Sequence, residues 1–136
     1  MNQLQKNTLN NATFLDANIL LEILLGRRKE KIARKFLEEN NENLHISILT
    51  AHLVVHFGKT VVPLPILRAF LSDYSLLSVD QPDFEWAFTN IRGNDFEDAL
   101  QLSTAIRNGC SNFVTLDKSL VGAYKDLASI EVQLLS

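Results

Sequence analysis

The segment Ala12-Thr13-Phe14-Leu15-Asp16 is a short apolar run that ends in an aspartate, and Phe113-Val114-Thr115-Leu116-Asp117 repeats this pattern near the other end of the chain. Runs of this composition are typical of buried strands. In a parallel α/β sheet, ligands bind beyond the carboxyl ends of the strands. The two segments therefore predict that Asp16 and Asp117 lie on one edge of a parallel sheet.

The rest of the sequence predicts strands that alternate with helices. We expect strands at residues 13–15, 44–48, 76–79, 113–116 and 130–134, with helices between them. The helix that follows the first strand is ended by Gly26, and a charged helix is expected from about residue 28 to 39. Strands separated by helices imply a parallel sheet that is covered on both faces. The predicted fold class is α/β, a three-layer α/β/α sandwich with a mainly parallel central sheet and residues 130–134 at its edge.

The composition is that of one soluble domain. With 136 residues, 46% of them hydrophobic, the chain is long enough for a single core, which we assign to residues 12–136. Residues 1–11 are polar and are interpreted as a flexible leader rather than a signal peptide. No segment approaches the roughly 20 apolar residues of a membrane span. The lone cysteine, Cys110, excludes an intramolecular disulfide and indicates a cytoplasmic protein.

A third aspartate, Asp98, lies near the start of a helical pattern that Asn94-Asp95 can cap. Its neighbours Phe96 and Ala99 are apolar, so its carboxylate lies beside a buried face and needs a partner there. The dipole at the start of a helix also favours a negative charge at this position. Glu97 is about 100° away around the helix, and we expect it to face solvent or to act as a first-turn charge.

Three aspartates on one rim indicate a metal site. Clustered carboxylates repel one another and raise each other's pKa, so a divalent cation is their natural partner. Taken singly, Asp16 and Asp117 are also ordinary helix caps or turn residues. Their joint placement with Asp98 favours the metal site.

The order of these motifs resembles a PIN domain, the metal-dependent ribonuclease fold of VapC-type toxins from bacterial toxin–antitoxin pairs. The matching stretches are Phe14-Leu15-Asp16-Ala17-Asn18-Ile19-Leu20, Asn94-Asp95-Phe96-Glu97-Asp98-Ala99-Leu100 and Phe113-Val114-Thr115-Leu116-Asp117. The resemblance implies hydrolysis of RNA phosphodiester bonds with Mg²⁺ or Mn²⁺ as the cofactor. The catalytic residues and metal ligands that it implies are Asp16, Asp98 and Asp117. Asn18 and Thr115 would be their supporting polar neighbours.

One position departs from the family pattern. PIN domains commonly supply a further acid, usually Glu, from the helix after the second strand, and here the stretch that begins at Ser47 offers His52 or Leu53 instead. Ser47 and His52 are further polar candidates at this place. Since Mg²⁺ often needs only one or two carboxylates together with water and phosphate, three aspartates favour one metal ion over two. His52 and His56 have one-turn spacing, but without the glutamate of a zincin motif they are expected at the surface or at the edge of the core.

The net charge of −3 argues against a protein that coats nucleic acid by bulk electrostatics. Basic residues are nevertheless concentrated in one segment, residues 27–35. Such a run is usually a solvated helix face. Arg27, Arg28 and Lys31 are nevertheless candidates for contact with RNA phosphates, and contact with an antitoxin is the other explanation.

Two apolar patterns bear on partners. Phe84, Trp86 and Phe88 recur at near-helical spacing, which predicts core residues rather than a surface on which bases stack. The first helix is apolar nearly all round, which is consistent with complete burial in one domain, or with contact with a second subunit in a homodimer or with an antitoxin helix.

These observations favour a metal-dependent endoribonuclease that acts as the toxin of a type II toxin–antitoxin pair, with RNA as its substrate and a cognate antitoxin as its partner. The first alternative is a PIN-like binding module whose nuclease site has decayed, because the fourth acid is missing. The second is an aspartyl-phosphate phosphotransferase, because Asp16 follows a strand as that nucleophile would. Asn18 stands where a phosphotransferase of this kind requires a second aspartate, which disfavours this alternative.

Overall fold

The computed structural model describes residues 12–136, and the predicted polar leader lies outside the described residues. The strands are β1 (Thr13–Leu15), β2 (Leu44–Ser47), β3 (Ser75–Leu77), β4 (Asn112–Thr115) and β5 (Glu131–Leu134). The helices are α1 (Ala17–Leu24), α2 (Glu30–Glu39), α3 (Ile48–Gly58), α4 (Leu64–Leu71), α5 (Gln81–Asn90), α6 (Phe96–Arg107) and α7 (Lys118–Tyr124). Within residues 12–136, no helix combines the length and the apolar character that a membrane crossing requires.

The five strands form one sheet in the order β3-β2-β1-β4-β5, and every pairing in it is parallel. The predicted α/β sandwich with a mainly parallel sheet is therefore confirmed. β1 lies at the centre, and β2 and β4 are its neighbours. Because the strands are parallel, the residues that follow β1, β2 and β4 meet at one edge of the sheet.

Both faces of the sheet are buried. In β1, Leu15 packs into a core with residues of α1, α3 and α4, whereas Phe14 packs into a second core with residues of α6 and α7. β4 repeats this alternation: Val114 lies in the first core and Phe113 in the second, where its ring stacks on Phe14 with centroids 5.3 Å apart. The side-chain period of two along a strand explains why successive residues enter opposite layers.

The charged helix begins later than the sequence predicts. Gly26 adopts φ +61° and ends α1, and the chain then turns before α2 starts at Glu30. Glu22 holds this turn, because its backbone oxygen accepts from the Arg27 amide at 2.9 Å and its Oε2 accepts from the Lys29 amide at 2.9 Å. Arg27 and Arg28 consequently lie in the turn and not on the helix.

The prediction that Phe84 and Phe88 belong to the core is wrong, since their side chains are 49% and 64% exposed. Helix α5 instead buries Asp83 and Ala87, which lie one turn apart. Asp83 accepts a hydrogen bond from Arg107 Nη2 of α6 at 2.9 Å, and this contact turns Asp83 and Ala87 toward the interior. Phe84 and Phe88 each follow one of these buried residues by one position, so their side chains point outward. The two exposed rings contact each other and the ring of Phe96.

Candidate metal centre

Asp16 is the first residue after β1 and the N-cap of α1, and it is 3% exposed. Its Oδ1 accepts a hydrogen bond from the Ala17 amide at 2.8 Å. Its Oδ2 accepts from Thr115 Oγ1 at 2.7 Å and from Asn18 Nδ2 at 3.1 Å. Asn18 Nδ2 also lies 3.0 Å from Thr115 Oγ1. The two predicted polar neighbours therefore do contact Asp16 and fix the orientation of its carboxylate.

Helix α6 brings two further carboxylates to Asp16. Asp95 is the N-cap of α6, and its Oδ1 accepts from the Asp98 amide at 3.3 Å. One carboxylate oxygen from each of Asp16, Glu97 and Asp98 lies within 4.8 Å of the other two. Because an oxygen from each residue reaches the same small volume, these three side chains are the ones best placed to bind a single cation.

The three carboxylates open into a surface cavity of about 330 Å³. The acidic residues that line it are Asp16, Asp95, Glu97, Asp98 and Asp117. Its apolar wall includes Leu21, Leu53 and Phe57. Among the described residues that line this cavity, Arg27 is the one with a cationic side chain.

Burial and mutual repulsion raise the pKa values of the acidic cluster. Desolvation is the main cause for Asp16, whose pKa rises from 3.8 to about 7, against the opposing hydrogen bond from Thr115. Asp98 is desolvated and faces the charge of Asp16, which together raise its pKa to about 8. Desolvation and the charge of Asp95 raise the pKa of Glu97. A divalent cation would favour the ionised form of these three carboxylates by offsetting their repulsion. Carboxylate oxygens are also the ligands that hard cations bind.

Asp117 takes a different position from the other predicted aspartates. It lines the cavity, and its charge contributes to the raised pKa values of Asp16 and Asp98. Its Oδ1, however, caps α7 by accepting from the amides of Ser119 at 2.9 Å and Leu120 at 3.3 Å. Among residues 12–136, the group of oxygens that meet within 4.8 Å does not include Asp117.

Glu97 is the acidic residue whose place in the cluster the sequence analysis did not identify. We expected it to face solvent or to act as a first-turn charge; it does lie in the first turn of α6, and it is partly buried in the acidic cluster. The helical rotation of about 100° separates the Cβ directions of Glu97 and Asp98. In the first turn of a helix that begins at the cavity, both side chains still reach the same space. The missed signal is a pair of consecutive acids, Glu97 and Asp98, at the second and third positions after the N-cap Asp95.

Leu53, not His52, lies where α3 lines the cavity. His52 is exposed, and its ring stacks on that of His56 with centroids 5.8 Å apart. Ser47 is fully buried and caps α3 by accepting from the Thr50 amide at 3.0 Å. The side of the cavity formed by α3 is therefore apolar, and the predicted polar candidates on this helix point elsewhere.

The three basic candidates are separated by the fold. Arg27 lines the acidic cavity, Arg28 lies exposed in the turn before α2, and Lys31 borders another surface depression with Lys35. Of these candidates, Arg27 is the one that a phosphate in the cavity would meet.

The family model described as PIN domain matches residues 13–125 of this sequence. The chain belongs to the PIN domain family. A comparison with curated proteins found no significant match.

The fold of this PIN domain is similar to three solved structures of low sequence identity. A toxin–antitoxin complex from Klebsiella pneumoniae aligns with a TM-score of 0.69 at 20% identity, covering 88% of this chain and 95% of that chain. A DNA-bound VapBC from Salmonella typhimurium aligns with a TM-score of 0.65 at 15% identity, covering 90% and 97%. VapBC2 from Rickettsia felis, bound to a promoter DNA fragment, aligns with a TM-score of 0.64 at 16% identity, covering 92% and 99%. At these identities the likeness establishes the shared fold.

Proposed function

We propose that this PIN domain is a metal-dependent endoribonuclease that acts in the cytoplasm as the toxin of a type II toxin–antitoxin pair. The observation that carries the proposal is the convergence of Asp16, Glu97 and Asp98, one oxygen from each lying within 4.8 Å of the others in an open cavity. RNA is the substrate that the family resemblance implies. The similarity to VapBC complexes supports a cognate antitoxin as partner. A homodimer stays a prediction.

The residues that would hold Mg²⁺ or Mn²⁺ are Asp16, Asp98 and Glu97, with Asp117 completing or orienting the site from the rim. When bound, the ion would neutralise the carboxylates, offset negative charge on the phosphate and lower the pKa of an attacking water. All the side-chain ligands are carboxylates, which suit hard cations such as Mg²⁺ and Mn²⁺ better than softer ones.

The other residues of the cavity have separate roles in this mechanism. Thr115 and Asn18 hold the carboxylate of Asp16 in one orientation through hydrogen bonds of 2.7 and 3.1 Å. Leu53 forms an apolar wall that limits water on one side of the carboxylates. Arg27 would bind a phosphate oxygen of the RNA through its guanidinium, which is suited to charge-assisted hydrogen bonds with phosphate.

RNA cleavage by the purified protein tests this proposal. We expect cleavage in Mg²⁺ or Mn²⁺, none in EDTA, and a loss of at least about 100-fold in Asp98→Asn, because removing one ligand charge weakens both metal binding and catalysis. Asp73→Asn, an exposed aspartate outside the cavity, is the matched control. Full activity of a folded Asp98→Asn variant would remove Asp98 from the mechanism.

A second candidate function is a binding module whose nuclease site has decayed. The observation that favours it is Leu53, an apolar residue on the side of the cavity where the family commonly supplies an acid. Absence of both Mn²⁺ binding by calorimetry and RNA cleavage would support this second function. The phosphotransferase alternative has less support, because Asn18 stands where this chemistry requires a second aspartate.

A further inference from the structure

A buried polar network lies behind the acidic cavity. Ser47, Thr50 and Gln101 have no exposed surface. Gln101 Oε1 accepts from Ser47 Oγ at 2.6 Å, and Gln101 Nε2 donates to Thr50 Oγ1 at 2.8 Å. Ser47 Oγ also accepts from the Thr50 amide at 3.0 Å. The amide of Gln101 is thus satisfied at both of its ends without water.

The network connects α6, which carries Glu97 and Asp98, to the end of β2, the strand that pairs with β1 beside Asp16. β1 pairs with β2 so that Thr13 opposes Leu44 and Phe14 opposes His45, and the same register places Asp16 level with Ser47. On α6, Gln101 follows Glu97 by one helical turn, and a hydrogen bond from its side chain to the Glu97 carboxylate opposes the rise in the pKa of Glu97. The network therefore joins the strand end beside Asp16 directly to the helix that supplies the other two carboxylates.

Hydrogen bonds at this position have a mechanical consequence. When the carboxylates ionise they repel one another, and this repulsion would act to separate α6 from the end of β1. Apolar packing is non-directional, so it does not by itself fix the distances and angles between particular groups. A fully satisfied buried network has fixed distances and angles, and breaking it leaves polar groups unpaired in the interior. The Gln101 amide is consequently suited to hold α6 in register with β1.

We propose that Gln101 is the positioning residue of the metal centre and acts by fixing Glu97 and Asp98 relative to Asp16 through Ser47 and Thr50. The inference rests on the proposed metal site. Metal ligands must be held to within about 0.5 Å, and losing a residue that orients them typically lowers metal affinity by about 10- to 100-fold. We expect a loss of this size when the amide of Gln101 is removed.

The test compares Gln101→Met with Ser103→Ala. Methionine approximates the length of glutamine but cannot make its hydrogen bonds. Ser103 lies on the same helix, is buried, and loses one hydrogen bond of 2.9 Å to Asp83 when it is replaced. Mn²⁺ affinity is measured by calorimetry on variants whose circular dichroism shows a native fold. We expect the dissociation constant to rise at least about tenfold in Gln101→Met and to stay at the wild-type value in Ser103→Ala.

A second pair of variants keeps the test decisive if Gln101→Met does not fold. Thr50→Val removes the hydroxyl acceptor of Gln101, and Thr50→Ser retains it, so the serine variant should recover the Mn²⁺ affinity that the valine variant loses. Wild-type affinity in folded Gln101→Met or Thr50→Val, with only the melting temperature lowered, would overturn this inference alone. If the wild-type protein itself binds no Mn²⁺, the proposed function and this inference fail together.

Discussion

The metal-free protein should lose stability as pH rises, because the pKa values of Asp16 and Asp98 are both raised in the folded state; Asp16, which is almost fully buried, shows the size of the effect. Its pKa is 3.8 in the unfolded reference and about 7 when folded. Below pH 3.8, Asp16 is protonated in both the folded and the unfolded state. Between pH 3.8 and about 7, Asp16 is ionised in the unfolded chain but stays protonated in the folded protein. A tenfold difference in proton affinity corresponds to about 1.4 kcal/mol, so ionisation of Asp16 lowers the free energy of unfolding by about 4 kcal/mol above pH 7. Asp98, whose pKa is also raised, acts in the same direction.

Urea unfolding in EDTA at pH 5, 6.5 and 8 measures this effect. The free energy of unfolding should fall across the series, and Asp16→Asn should flatten the dependence whereas Asp73→Asn should retain it. At pH 8, Mn²⁺ at about 100 times its dissociation constant should restore roughly 2.7 kcal/mol, because binding to the folded state alone stabilises it. A stability in EDTA that is flat or rises from pH 5 to 8 would refute the reasoning, since it would mean that the cluster ionises without cost.

Three further substitutions test individual positions of the site. Asp117→Ala should cost about 1 kcal/mol in urea unfolding through loss of the α7 cap, and should weaken Mn²⁺ binding less than Asp98→Asn does; an equal loss of affinity would make Asp117 a full ligand. Arg27→Ala should raise the KM for RNA several-fold in steady-state kinetics, with Arg28→Ala nearly unchanged, and equal effects would remove the special role of Arg27. Leu53→Glu, which supplies the acid that the family commonly has on this helix, should strengthen Mn²⁺ binding in calorimetry and lower metal-free stability at pH 8. Weaker Mn²⁺ binding would show that an acid at this position does not fit the cavity.

Local patterns were sufficient to predict most of the fold. The runs around β1 and β4 are short, apolar and bounded by aspartates, so their type and position follow from composition alone. The orientation of α5 could not be predicted in this way, because Phe84 and Phe88 have the same one-turn spacing as Asp83 and Ala87. The spacing of residues alone therefore does not show which of these two faces is buried. The ion pair between Asp83 and Arg107 decided it, and this contact joins residues 24 positions apart.

The site was predictable where its residues follow strands and was missed where tertiary contacts decide. The rule that parallel strand ends converge predicted Asp16 and Asp117 at one edge of the sheet, and the family resemblance indicated Thr115 as a polar neighbour. Gln101 is one glutamine among many polar residues in the sequence, and its partners Ser47 and Thr50 are 54 and 51 positions away. Glu97 was expected to face solvent or to act as a first-turn charge, and its place in the cluster was missed because helical rotation alone cannot show how closely the start of α6 approaches β1.

The central place of β1 in the sheet has a consequence for synthesis on the ribosome. Within residues 12–136, β1 is translated before every other strand and helix, and the Thr115 hydroxyl of its partner β4, which orients Asp16, follows 99 positions later. An unfinished nascent chain lacks the hydroxyl donor that orients this carboxylate, and while helix α6 is still missing it lacks two of the three acids. The acidic site can therefore assemble only after the ribosome has added every residue from Asp16 to Thr115.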